Sequence, residues 1–221
     1  MIKTVIFDMD GLMFDTERLN NEAWIAAAQK MGKTIQKEML DSMKGVNRVE
    51  CDKIMRSWLG EDLNLDYMRT LKQKYTEQYL KDNGVPVKKG LRELLSYLKT
   101  HRYTVVLSTS TSENEALRLL KMADVEKYFD HLVFGNMVEK SKPEPDIFLE
   151  AVRRAYTKPE NCLVLEDSPN GVRAAHAAGC HVVMVPDMVP ATEELRAMTD
   201  DVVESLEDVE EMMKAMNMIA V

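Results

Sequence analysis

Eight residues near the start of the chain decide the fold: Thr4-Val5-Ile6-Phe7-Asp8-Met9-Asp10-Gly11. A short run of strand-forming residues is followed at once by two carboxylates and a glycine. Such a run, without polar alternation, is typical of a strand covered on both faces of a parallel sheet. Function in open parallel sheets concentrates at the carboxyl ends of the strands. The segment therefore predicts a buried strand that delivers Asp8 and Asp10 to the functional edge.

Similar runs recur along the chain and alternate with helix-patterned segments. The further strands are predicted at residues 104–107, 131–134, 162–165, 181–185 and 201–203. Apolar residues at helical spacing predict helices over 90–99, 112–122, 146–155 and 170–178. Strand–helix–strand alternation implies an α/β fold with a doubly wound, Rossmann-like parallel sheet.

One long interval has no convincing strand. The pattern of residues 16–101 predicts helices at 17–30, 36–43, 48–59 and 66–81, followed by the helix at 90–99. Because a parallel crossover needs only one helix, the remainder is predicted to be an inserted helical cap. We expect the core to comprise residues 1–15 and 86–221 and the cap residues 16–85. The turn-forming sequence at 82–86 is typical of the returning linker.

Composition narrows the class of partner. The 221 residues include 29 Lys and Arg against 37 Asp and Glu, a formal net charge of −8. This balance disfavours nucleic acid and anionic membrane surfaces as partners. The three cysteines are widely spaced and show no CxxC pattern, which indicates a reduced protein. An acid stands at position 8, where a signal peptide would be apolar, so we expect a cytoplasmic protein. No apolar run approaches the ~18 residues of a membrane helix.

Three further polar segments follow predicted strands. They are the hydroxyl run 108–112, the rigid segment Lys140-Ser141-Lys142-Pro143-Glu144-Pro145, and Glu166-Asp167-Ser168-Pro169. Taken singly, each is compatible with turns, helix caps or a solvated lysine. Together they place acids, hydroxyls and a lysine at the carboxyl ends of four strands, a pattern that points to one shared site.

The chemistry that fits this set is phosphoryl transfer. Asp8 and Asp167, with the backbone carbonyl of Asp10, offer the oxygen ligands that Mg²⁺ prefers. An aspartate carboxylate can attack phosphorus and form an aspartyl-phosphate. Lys142 and a cradle at Thr109 and Ser110 would neutralise the phosphoryl oxygens. A second acid must protonate the departing alkoxide and then activate water, and Asp10 is placed for that task.

These motifs resemble those of the haloacid dehalogenase superfamily. FDMDG at 7–11, the Thr109 segment, SKPEPDIF at 141–148 and LEDSPNG at 165–171 occur in the family's order. The resemblance implies that Asp8 is the nucleophile and Asp10 the acid/base. It further implies that Thr109 and Lys142 hold the phosphate, and that Glu166 and Asp167 serve Mg²⁺.

The insertion resembles the helical cap of the phosphatase and β-phosphoglucomutase branch. Trp24 and the segment Lys44-Gly45-Val46-Asn47-Arg48 match that branch, which implies substrate contacts from Trp24, Gly45 and Arg48. Asn20 and Ser112 depart from the mutase pattern. The resemblance therefore favours hydrolysis of a sugar phosphate or other small phosphomonoester, with β-phosphoglucomutase activity as the alternative.

Two other functions would use similar residues. A phospho-acceptor receiver module also combines acids, Mg²⁺, a threonine and a lysine, but it would lack so long an insertion after the first strand. A nucleotide-sugar transferase would use the Asp8–Asp10 pair as a metal clamp, but no Gly-rich nucleotide loop accompanies it. The four histidines lie outside every motif, so the sequence offers no support for zinc or histidine-based catalysis.

Overall fold

The computed structural model describes residues 1–43 and 48–219, with only the backbone for Arg48 and residues 216–219. Its sheet has six parallel strands: β1 (Thr4–Phe7), β2 (Thr104–Thr109), β3 (His131–Phe134), β4 (Cys162–Glu166), β5 (His181–Met184) and β6 (Asp201–Val202). They are ordered β3-β2-β1-β4-β5-β6. The order reverses between β1 and β4, which is where doubly wound folds bind their ligands.

The chain divides into two compact units, one of residues 1–15 and 85–221 and one of residues 16–84. The second unit is helical and contains α1 (Thr16–Lys30), α2 (Lys37–Ser42), α3 (Arg48–Leu59) and α4 (Leu65–Asn83). Asn64 caps α4 by accepting from the Tyr67 amide, and Gly84 ends the helix with a positive φ of 74°. Trp24, Met39, Met55 and Met68 belong to its buried core.

The sheet lies within the first unit and is covered on both faces by helices. These are α5 (Leu91–Thr100), α6 (Glu113–Met122), α7 (Asp146–Arg154), α8 (Pro169–Ala177), α9 (Glu193–Arg196) and α10 (Leu206–Ile219). On one face, residues of α7 and α8 pack with Ile6, Val106 and Val164 in a single buried cluster. The leucines of α5 are also buried, and this helix contacts β2 and α10. Burial from both sides explains why the strands lack polar alternation.

The predicted α/β class and parallel sheet are confirmed. Most element bounds agree with the predicted ranges within two residues. β2 extends two residues further than predicted, to Thr109, because the Ser108 and Thr109 side chains are themselves buried. Short 3-10 turns at Glu126–Tyr128, Gly135–Met137 and Pro159–Asn161 carry no clear sequence pattern. Across the described ranges, no helix combines the length and the apolar character that a bilayer crossing requires.

Candidate active site

Three carboxylates meet where β1 and β4 end. Asp8 follows β1 directly, Glu166 is the last residue of β4, and Asp167 comes next. Each offers an oxygen within 4.8 Å of the others, and all three residues are buried. The Asp8 amide donates to the Leu165 carbonyl at 3.1 Å, which continues the β1–β4 pairing beyond Phe7. The parallel register therefore brings acids from distant parts of the sequence into one cluster.

Lys142 joins two of these carboxylates. Its Nζ donates to Asp8 Oδ1 at 2.5 Å and to Glu166 Oε1 at 2.6 Å, and it lies 4.9 Å from the centre of the Phe148 ring. Burial on its own would lower the pKa of Lys142, but the Asp8 and Glu166 carboxylates outweigh it and raise the pKa above its usual value. The lysine is therefore a fixed cation in the middle of the acidic cluster.

Glu166 is held by the start of α8. Its Oε2 accepts from the amides of Asp167 and Ser168 at 2.8 and 2.9 Å and from Ser168 Oγ at 3.0 Å. Ser168 is the N-cap of α8, and its Oγ accepts from the Gly171 amide at 3.1 Å. With Lys142 on Oε1, both oxygens of this fully buried carboxylate have donors. Such bonding satisfies a charge that burial would otherwise make costly.

The other two carboxylates are less well compensated. Burial, opposed by Lys142 and reinforced by Glu166, raises the pKa of Asp8 to about 7. Burial together with the charges of Glu166 and Asp8 raises the pKa of Asp167 to about 10. Clustered acids of this kind ionise together only when a cation lies among them. The donor set, all carboxylate oxygen, is the set that fits a hard divalent cation such as Mg²⁺.

The loop after β2 supplies hydroxyls. Thr109 is buried, and its Oγ1 accepts from the Thr111 amide at 3.1 Å. Thr111 Oγ1 in turn donates to Asp10 Oδ2 at 2.6 Å, whereas Ser110 is exposed. In the sequence, Thr111 is one member of the hydroxyl run 108–112, and no local signal distinguishes it from its neighbours. The contact links the loop after β2 to the second carboxylate of the first motif.

The structure thus brings together most of the core residues predicted from sequence. Asp8, Lys142, Glu166 and Asp167 form the contacts given above, and Thr109 connects to Asp10 through Thr111. The role of the Asp10 carbonyl as a ligand at the cation position stays a prediction.

Of the three residues of the helical unit that are predicted to contact substrate, only Trp24 has a described side chain. Trp24 lies in the core of that unit with 8% of its surface exposed, and Lys72 Nζ is 5.0 Å from its ring centre. Gly45 lies outside the described residues. Arg48 begins α3, but its side chain lies outside them as well. The substrate contacts of Trp24, Gly45 and Arg48 remain predictions.

A parallel sheet with a lysine-bridged carboxylate cluster at its switch point defines an α/β enzyme whose chemistry is built around an aspartate. The chain belongs to the haloacid dehalogenase-like hydrolases, whose family model matches residues 5–185. It is 37% identical over 182 residues to a phosphorylated carbohydrates phosphatase of Thermotoga maritima, covering 80% of this chain and 82% of that protein. It is 32% identical to a phosphoglycolate phosphatase of Nitrosospira multiformis, covering 84% and 83%.

A solved structure gives the same result for the fold. The crystal structure of β-phosphoglucomutase from Clostridium difficile has a TM-score of 0.74 to this chain at 25% identity, covering 100% of this chain and 99% of that one. The predicted family and the prediction of an enzyme are confirmed. The hypothesis of a receiver module is therefore wrong, because the match to the hydrolase family covers residues 5–185 and includes the insertion.

Proposed function

We propose that the protein hydrolyses a small phosphomonoester, a phosphorylated sugar or polyol, through an aspartyl-phosphate on Asp8. The observation that carries the proposal is the Lys142 bridge between Asp8 and Glu166, with Asp167 beside it. This arrangement holds one carboxylate in a fixed orientation beside an ammonium group, and the neighbouring carboxylates suit a divalent cation. Both positive charges would favour the approach of an anionic phosphate. The match to phosphatases over most of the chain supports it.

In the first half of the reaction, an Asp8 oxygen attacks phosphorus and the bond to the leaving alkoxide breaks. Asp10 gives its proton to that alkoxide, which departs as an alcohol. In the second half, Asp10 takes a proton from water, and the water oxygen attacks the phosphorus. The bond to Asp8 breaks, and inorganic phosphate leaves. Thr111 positions Asp10 for both proton transfers, since it donates to Asp10 Oδ2.

Mg²⁺ is the proposed cofactor, with Asp8 and Asp167 as side-chain ligands and the Asp10 carbonyl as a third. When bound, it would screen the repulsion between the Asp8 carboxylate and the anionic substrate. Glu166 is near enough to share the ion, but its oxygens already accept four hydrogen bonds. We therefore assign Glu166 mainly to holding Lys142 and the loop that carries Asp167.

The substrate class is proposed from the relatives. One is named a phosphorylated carbohydrates phosphatase and another a phosphoglycolate phosphatase, which supports a small, polar alcohol as the leaving group. β-Phosphoglucomutase activity stays the second candidate because a mutase of that name shares the fold over the full chain. Asn20 and Ser112, which depart from the mutase pattern, favour hydrolysis. The cytoplasmic location stays a prediction of the sequence.

The first experiment tests the nucleophile. We expect the purified protein to release p-nitrophenol from p-nitrophenyl phosphate in Mg²⁺ and to lose this activity with EDTA. Asp8→Asn keeps the size of the side chain and should abolish turnover, whereas Asp146→Asn, at the start of α7, should retain it. Undiminished activity in Asp8→Asn would refute the assignment.

A second experiment separates hydrolysis from mutase activity. β-Glucose 1-phosphate is followed by phosphorus NMR with a catalytic amount of the bisphosphate. We expect inorganic phosphate to appear. Formation of glucose 6-phosphate without inorganic phosphate would establish the mutase instead.

A third experiment tests the helical unit. A phosphate-release screen over sugar, polyol and nucleotide phosphates identifies the best substrate, and Arg48→Ala is compared with Arg56→Ala from the same helix. We expect Arg48→Ala alone to raise KM for substrates with a second anionic group, while p-nitrophenyl phosphate turnover stays the same. Equal KM values in the two variants would exclude a role for Arg48 in substrate binding.

A further inference from the structure

A further carboxylate lies at the same edge of the sheet and has no part in the mechanism above. Asp187 follows β5 by three residues, and its side chain is 1% exposed. Its Oδ1 accepts from Lys88 Nζ at 2.6 Å. The chain leading to it is fixed against the active-site loop, since the Val185 amide donates to the Glu166 carbonyl at 2.7 Å. The ion pair therefore lies next to the loop that carries Asp167, with Asp187 buried and Lys88 partly exposed.

Lys88 is held in place by its backbone. Its amide donates to the Met13 carbonyl at 2.9 Å, and the neighbouring Val87 forms an antiparallel bridge with Phe14. Phe14 in turn forms a parallel bridge with Asp10. The ammonium group is thus carried by a segment that is hydrogen-bonded to the chain just after the first motif. Lys88 and Asp187 approach the acidic cluster from two different loops.

Asp187 influences the cluster electrostatically. Burial and the charges of Glu166 and Asp8 are the larger causes of the raised pKa of Asp167, and the negative charge of Asp187 adds to them. A buried charge at this range is screened much less than one in solvent. Lys88 opposes that influence because it lies against Asp187. The pair as a whole is neutral, so it adds nothing to the net charge of the cation site.

We propose that Lys88 is a positioning residue that withholds the charge of Asp187 from the cation site at Asp8 and Asp167, so that this ion pair sets the site's affinity for a divalent cation. The inference rests on the cation site of the proposed function. The inference predicts that the two single substitutions change the cation affinity in opposite directions. Removing Lys88 exposes the site to an extra negative charge and tightens cation binding, whereas removing the charge of Asp187 exposes it to an extra positive charge and weakens binding.

The test measures Mn²⁺ binding directly, by the electron paramagnetic resonance signal of the free ion at pH 8. Lys88→Gln should lower the dissociation constant about tenfold, and Asp187→Asn should raise it about tenfold. The double variant should return to within about twofold of the wild type, because both charges are gone. A purely structural role would weaken binding in both single variants. Changes of the same sign, or no change, would overturn the proposal.

The matched control is Lys99→Gln. Lys99 pairs with Asp130 at the same 2.6 Å, but Asp130 precedes β3 and accepts from the Val105 amide at the amino end of the sheet. The Lys99→Gln variant should bind Mn²⁺ with the affinity of the wild type. If a single variant fails to fold, Lys88→Arg and the double variant must both bind Mn²⁺ as the wild type does, and altered affinity in either would refute the inference.

Turnover by the Asp8→Asn variant would refute the proposed function, but it has no bearing on the Mn²⁺ affinities measured for the Lys88 and Asp187 variants. The two failures are therefore distinguishable.

Discussion

Replacing Gly171 by alanine sets two physical effects against each other. Gly171 lies in the first turn of α8 and has no positive φ, so alanine suits its backbone. Helix propensity alone predicts that alanine stabilises the protein by about 0.5–1 kcal/mol. However, a Cβ at this position would lie 1.7 Å from Glu166 Oε1 and 2.3 Å from Oε2. The glycine leaves the space that the Glu166 carboxylate occupies.

The cost follows from what Glu166 must give up. Moving its carboxylate breaks the bond to Lys142 and disturbs those from the Asp167 and Ser168 amides. Disrupting a buried ion pair of this kind costs about 3–5 kcal/mol, which exceeds the gain in propensity. We therefore expect Gly171→Ala to destabilise the protein by about 2–4 kcal/mol. Because Lys142 also orients Asp8, we expect activity to fall about 100-fold.

Urea unfolding and initial rates of phosphate release measure the two effects. The matched control is Gly171→Ala made in a Glu166→Ala background, where the added methyl group meets no carboxylate. There the second substitution should be neutral or slightly stabilising, since two contacting positions are not additive. A Gly171→Ala protein that is more stable than the wild type and equally active would refute this reasoning.

Three further changes test single contacts. Thr111→Val removes the hydroxyl that donates to Asp10 at 2.6 Å, so kcat should fall about tenfold with little change in KM; unchanged steady-state kinetics would contradict the positioning role. Lys142→Met leaves two buried carboxylates without their cation, and urea unfolding at pH 8 should show a loss of about 3 kcal/mol together with loss of turnover; equal stability would argue against the bridge. The pKa of Glu150 is lowered from 4.5 to about 2 by hydrogen bonds from Arg153 and Arg154 on the same helix. Its stabilising effect is therefore present above pH 4.5 and lost as the pH falls towards 2. Glu150→Gln should be less stable than the wild type by about 0.5 kcal/mol at pH 7, a gap that narrows by pH 3 in urea unfolding. A gap that widens in acid would contradict the sign.

The core of the fold was predictable because its signals are local and strong. A strand such as Cys162–Glu166 is buried on both faces, so nearly every residue in it is apolar. The leucines of α5 repeat at helical spacing because one side of that helix is covered. The carboxyl ends of parallel strands meet at one edge, so Asp8 and Asp167 could be placed together before any distance was known.

The contacts that complete the site carry no such local signal. Lys88 and Asp187 are separated by 99 positions, and their sequence neighbours look like ordinary linker and loop residues. Their pairing depends on where two loops end in space, which a one-dimensional pattern does not specify. Gly171 also resembles a common glycine near a helix start, and its role is visible only as the space next to Glu166. Trp24 shows the converse difficulty, since an aromatic residue in a helix suits a core and a binding site equally well.

The register of the sheet connects the fold to the chemistry. Phe7 pairs with Leu165, and because the Asp8 amide continues that ladder, the next pair along is Asp8 and Glu166. Neighbours in register point to the same face of a sheet, so one ammonium group can reach both carboxylates, as Lys142 does. A slip of one residue would turn the Asp8 side chain to the opposite face and separate it from Lys142. The apolar strands on either side of the switch point prevent such a slip, because it would also turn their buried side chains away from the helices that cover them.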